Sequence, residues 1–202
     1  GPSSSSAPTL SASGGVITDY AGNRAQGWRG AGAEALEEAI AEHLAAGRKG
    51  AAARIARDAG QYDRALEWFV ELDLYHQAGA CLRMIGRYDD ALAMLLRQDI
   101  RGPNYRKACF ELVGVAIELG KLDFDIDRFL SAFIEAGPAD RDEIETYFGL
   151  ARLYLANEFI SGAKRCLRKI LASDPAHAEA KVLDNELRRS ARVSPEDAPR
   201  AE

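Results

Sequence analysis

Cysteine, methionine and tryptophan are scarce in this chain of 202 residues, at three, two and two. β-branched residues are sparse as well, and no stretch alternates with the period of two that a half-buried strand requires. A sheet-based domain is therefore not expected. Cys81, Cys109 and Cys166 are odd in number, far apart and set in apolar phrases. They read as reduced packing residues rather than a disulfide framework or a metal site, which fits a cytoplasmic setting. No apolar run approaches the ~18 residues that would insert across a bilayer. No basic start followed by an apolar core marks a signal peptide. Excess positive charge is missing too: the net charge is -5 and the pI near 5.4, against the basic footprint of nucleic-acid modules. Phosphate loops, G-x-G-x-x-G and H-E-x-x-H are all absent. His43, His76 and His177 are scattered, with no serine or cysteine beside them in a nucleophile arrangement, and read as surface or interface residues. No enzyme and no cofactor is expected.

What the chain does have is helical period. Residues 1–30 are rich in Ser, Gly and Ala and read as a flexible arm. Gly1-Pro2 and the four serines after it look like a protease remnant and linker. The arm's adhesive parts are VITDY (16–20) and Trp28, where Val16, Ile17, Tyr20 or Trp28 would dock in a groove of this molecule or a partner. Residues 31–191 read as one helical domain, and 192–202 as a polar linker containing SPEDAPRAE. Apolar spacing predicts about ten helices, near 33–46, 48–59, 61–73, 75–85, 87–98, 104–119, 123–136, 141–156, 159–173 and 176–190. Glycines 47, 60, 86 and 120 sit where helices end. Asp140 with Glu143 spells a capping box, and Asp174-Pro175 supplies an N-cap and first-turn proline. The run Asp123, Asp125 and Asp127 starts like a calcium loop, but Arg128 stands where glycine belongs and Ile134 where glutamate belongs. Asp123 is better read as an N-cap, with the other two favoured by the helix dipole.

One phrase is spelled twice. GQYDRALEWF (60–69) returns 26 residues later as GRYDDALAML (86–95), with Gly60/Gly86, Tyr62/Tyr88, Asp63/Asp89, Ala65/Ala91 and Leu66/Leu92 aligned. Short helices joined by tight turns pack antiparallel, and pairs of them stack to bury a continuous core. In that reading the glycine ends one helix, the tyrosine plugs a gap between helices and the alanine lets two backbones approach.

These residues resemble the tetratricopeptide repeat. The clearest copy runs from Ile144 to about His177, with Tyr147, Leu150, Ala151 and Tyr154, then Ile160, Ala163, Leu167, Ile170 and closing Pro175. A second has Tyr75, Ala78, Gly79 and Leu82, then Gly86, Tyr88, Ala91 and Leu95, with Pro103. The copy centred on Gly60, Tyr62, Ala65 and Phe69 has only Ala52, Ala53 and Ala56 in its first helix. The copy around Gly120 is the most degenerate, with Leu122, Asp125 and Phe129. Equivalent points lie about 26, 34 and 38 residues apart where a regular array keeps 34, and a local change in pitch is expected at the short gap. The resemblance covers about residues 46–178 and implies an all-α, right-handed solenoid of helix hairpins.

It also implies a non-catalytic protein-interaction module whose first helices line a concave groove. The groove positions would be Arg54 and Arg57, then His76, Ala80 and Arg83, then Phe110, Gly114 and Ile117, then Phe148, Arg152 and Leu155. Arginines followed by aromatic and aliphatic residues suit an acidic-hydrophobic peptide or helical segment of a partner protein. The alternative is that the phenylalanines are buried by neighbouring helices and the arginines only solvated. A lysine/asparagine clamp for a C-terminal carboxylate pair is not reproduced, since Gly50, Arg54 and Gln77 stand at its places. The Ala/Arg/Gly-rich composition fits a bacterial scaffold or adaptor, part of a larger regulatory or assembly protein. Rival readings are a ligand-sensing or nucleic-acid-binding array, against which Glu34, Glu37, Glu38 and Glu42 speak. Homo-oligomerisation through the arm or the last helix (Ala176–Ala191) is a further one.

Overall fold

The computed structural model describes residues 32–190, so the expected arm (1–30) and linker (192–202), with VITDY and Trp28, lie outside the described residues. The described residues are all-helical and contain no strand: α1 (Ala33–Ala45), α2 (Lys49–Asp58), α3 (Tyr62–Glu71), α4 (Tyr75–Met84), α5 (Tyr88–Leu95), α6 (Tyr105–Leu119), α7 (Phe124–Ala136), α8 (Arg141–Ala156), α9 (Ile160–Ser173) and α10 (Ala178–Ser190).

Turns come first in explaining this order. Gly47, Gly60, Asp73 and Gly86 all take positive φ, at 70°, 85°, 54° and 76°. In each case the next N–H reaches back five residues to a carbonyl. The four bonds are Arg48 to His43 at 2.8 Å, Gln61 to Ala56 at 2.8 Å, Leu74 to Phe69 at 2.9 Å and Arg87 to Leu82 at 2.9 Å. This left-handed closure satisfies the last carbonyls of one helix and turns the chain back for the next.

These four turn residues are spaced by 13, which the 26-residue echo conceals. Between them Ala52, Ala65, Ala78 and Ala91 recur at the same interval and are fully buried. So do Ala56, Phe69, Leu82 and Leu95. The echoed phrase therefore spans two copies of a one-helix unit. Sequence comparison missed the middle copy because Asp73 replaces the glycine. Beyond α5 the helices lengthen to 15, 13, 16 and 14 residues. The irregular spacing reflects longer helices and different connections together: the left-handed turn returns at Gly120 and Glu158, φ 60° and 64°, while residues 96–104 between α5 and α6 and residues 174–177 before α10 contain no positive φ.

Consecutive helices pack on one another from α1 to α6. From α4 onward a second relation appears, with α4 against α6 and α6 against α8 in one layer, and α7 against α9 in the other. The result is a helix-hairpin solenoid. Two apolar clusters fill it and meet at α4, whose Ala78 and Cys81 belong to the first and Leu82 to the second; Leu66 and Met94 touch both. All three cysteines are free and buried, and burial pushes each thiol up to about 12.

Polar bonds pin the longer helices. Tyr147 donates its hydroxyl to the Phe133 carbonyl and Tyr105 to that of Phe129. Asp123 caps α7 by accepting from Ile126 N–H at 3.0 Å, as expected. Asp127 is committed to Tyr154 Oη at 2.6 Å and Arg165 at 2.7 Å. The expected capping box is half formed. Asp140 accepts from Glu143 N–H at 3.0 Å, but the Glu143 carboxylate turns to Ala139 N–H and to Arg106 of α6. Glu143 is 3 % exposed, and the charged, two-pronged Arg106 pair compensates its burial. At the last helix Asp174 holds only the preceding turn, through Ala176 N–H at 2.9 Å. His177 Nδ1 takes the capping place instead, accepting from Ala180 N–H at 3.2 Å.

Packing in α9 depends on a missing Cβ. One built on Gly162 would lie 2.2 Å from the Tyr154 ring, and that ring is fully buried. Gly162→Ala should therefore cost about 1–3 kcal/mol by overpacking, despite the ~1 kcal/mol that alanine gains in helix propensity. Glu158→Gly should instead add a few tenths to about 1 kcal/mol, by relieving left-handed strain. Urea unfolding followed by circular dichroism separates the two signs.

Candidate functional site

Each helix of the α2, α4, α6, α8 and α10 series shows the same kind of stripe, about one residue per turn, mostly outside or at the edge of the core. On α2 it carries Gly50, Arg54 and Arg57; on α4 His76, Ala80 and Arg83; on α6 Lys107, Phe110, Gly114 and Ile117. On α8 it carries Phe148, Arg152 and Leu155, and on α10 Glu179, Val182 and Glu186. Small residues let side chains of one helix lie across the next. The Arg83 guanidinium sits where a Cβ on Gly114 would be, 2.9 Å from it, and Ile117 Cδ1 lies 3.1 Å from the corresponding point on Gly149.

The sequence-predicted residues meet different fates. Arg54 and Arg152 are exposed, with no ion pair or hydrogen bond among the described residues. Arg57 holds Asp58 through two bonds of 3.0 and 2.8 Å, and Arg83 reaches Glu111 at 3.2 Å. Ile117 is 40 % exposed. Phe110 is half-buried, edge-on to Phe133 with ring centres 5.3 Å apart. Phe148 is half-buried beside His177, ring centres also 5.3 Å apart.

His76 departs from the expected surface position. It is only 8 % exposed and its Nδ1 is buried with no hydrogen-bond partner. Burial, helped by the nearby charges of Lys107 and Arg57, pulls its pKa down to about 4. The imidazole is therefore neutral at pH 7.

Between α8 and α10 the stripe opens into a groove of about 650 Å³. Phe148, Leu155, Val182 and Leu183 supply its apolar lining, with Arg152, Glu179 and Glu186 around them. Val182 is 58 % exposed. Sequence reading found the α8 side of this groove and missed the α10 side, because the repeat pattern ends at Pro175. The signal was present in the helical spacing of Glu179, Val182 and Glu186. Lys107 was missed as well, one turn before Phe110 and Glu111 on the same helix face.

Among the described residues no group of His, Cys, Asp and Glu is placed to hold a metal ion, and no helix is long and apolar enough to cross a membrane.

No protein-family model and no curated protein matches this chain. Among solved structures it is similar to the MamA RS-1 ArsTM double mutant, at 20 % identity and a TM-score of 0.41, over 80 % of this chain and 97 % of that one. So loose a likeness bears on neither function nor partner. The solenoid described above rests on helix order and packing alone.

The burial of His76 has a measurable consequence. Its folded pKa lies below the unfolded value, so its contribution to stability is complete above pH 6.5 and is lost as pH falls through 6.5 toward about 4. Between pH 7 and pH 4.5 that loss should be about 2 kcal/mol. Denaturant unfolding of His76→Gln at the two pH values should show a smaller drop than the parent by that amount.

Proposed function

We propose that this chain is a non-catalytic protein-interaction module, a cytoplasmic scaffold or adaptor that holds a peptide or helical segment of a partner protein along the α2–α10 stripes. Residues 31–191 form the binding array, flanked by the arm and the linker. The observation that carries this reading is the groove between α8 and α10. A helix-hairpin array buries apolar residues between its own helices, yet Phe148, Leu155, Val182 and Leu183 line an open concavity. Apolar side chains gathered in a cleft with a polar rim are the means by which helical modules grip segments of other proteins. Arg152, which keeps unpaired donors at the cleft, adds carboxylate recognition.

Arg54 and Arg152 are the discriminating pair, since both are exposed and unpaired. Arg83 is a poorer choice, because reversing it would set two carboxylates side by side with Glu111. With the whole chain immobilised, at least one lysate protein identified by mass spectrometry should be retained by the parent and lost from Arg54→Glu/Arg152→Glu. An unchanged circular dichroism melt should accompany that loss. Identical retained sets would sink the groove reading. A chain that retains only itself would favour homo-oligomerisation.

A further inference from the structure

Charge is graded along the stripes, with the cations in excess on α2, α4 and α6 even after Asp58 and Glu111 are paired. On α2, α4 and α6 stand the cations Arg54, Arg57, Arg83 and Lys107, drawn from three helices, with the uncharged His76 ring among them. Arg54 and Lys107 have no partner among the described residues. Arg57 and Arg83 each hold one carboxylate, but a guanidinium has five N–H donors and keeps several in reserve. At their centre the His76 ring is more than nine-tenths buried, and its Nδ1 is unpartnered. On α8 and α10 the balance reverses. There the lining is apolar, Glu145, Glu179 and Glu186 are exposed, and Arg152 is the cation of the groove.

Resting on the interaction reading above, the geometry points to a two-part ligand: a partner segment whose carboxylates are held by Arg54, Lys107 and their neighbours on α2, α4 and α6, and whose bulky apolar side chain enters the α8–α10 groove. Packed helices stand about 8–10 Å apart. From α4 to the groove beyond α8 is therefore about 22 Å, or about seven residues of extended chain. A purely apolar helix would leave the cationic half unused. A phosphate polymer lying along the same line would meet Glu145, Glu179 and Glu186 at its far end.

The test is selection from a phage-displayed library of random peptides about 16 residues long, panned on the whole chain at low salt. Enriched peptides should pair an Asp/Glu cluster with an aromatic or large aliphatic residue about seven positions away. For a synthetic copy of the best peptide, Arg54→Glu/Lys107→Glu should weaken binding about tenfold or more and flatten its salt dependence. Val182→Asp should weaken it as much and leave the salt dependence intact. Groove-binding peptides without carboxylates, or salt dependence that survives the Arg54/Lys107 reversal, would overturn the two-part recognition alone. Failure to enrich any peptide that these variants affect would overturn the interaction reading and this inference with it.

Discussion

One residue in the left-handed conformation, placed between successive helices from α1 to α5, sets the first half of this structure and recurs in the second. It lets the following N–H reach a carbonyl five residues back, so a helix ends with its carbonyls satisfied and the chain leaves in the reverse direction. With the interval held at 13, the buried alanines 52, 65, 78 and 91 fall at equivalent points of four successive helices. Their small size lets neighbouring backbones close up. Where the helices lengthen, from α6 on, the turn survives at Gly120 and Glu158, and the extra length goes into larger core residues such as Tyr147 and Tyr154.

That construction divides the surface into two kinds. Residues facing the next helix are spent on packing, and they are the ones that repeat. The stripes on α2, α4, α6, α8 and α10 lie mostly at the edge of the core and vary: arginine and lysine early, phenylalanine, leucine and valine late, with His76 drawn inside. The α8–α10 groove is where half-buried Phe148, Leu155 and Leu183 and exposed Val182 meet at the surface.

Much of the fold was legible because it is written in local signals. Glycine at helix ends, Asp123 ahead of α7 and apolar spacing placed all ten helices, nine of them to within about two residues at either end and α5 with an end three residues too late. What escaped was written in residues that break the local rule. Asp73 and Glu158 occupy left-handed turns without being glycine, so the 13-residue unit looked like a 26-residue echo. Glu143 carries a capping-box spelling, but its carboxylate is claimed by Arg106, 37 residues earlier, and no local pattern announces such a pair. The site was less legible. The α8 half of the groove followed from the repeat pattern, while its α10 half lies past the last repeat. His76 sits at a surface position of the pattern and is buried by its three-dimensional neighbours.

The most direct test of the central claim, that one left-handed turn every 13 residues builds the α1–α5 half of the array, is to lengthen it by a whole two-helix period. A second copy of residues 61–86 inserted after Gly86 adds two helices and restores the chain's direction. The account predicts a monophasic urea transition whose m-value rises with the added buried surface, and helicity increased in proportion. Loss of cooperative unfolding, or no gain in helicity, would contradict it.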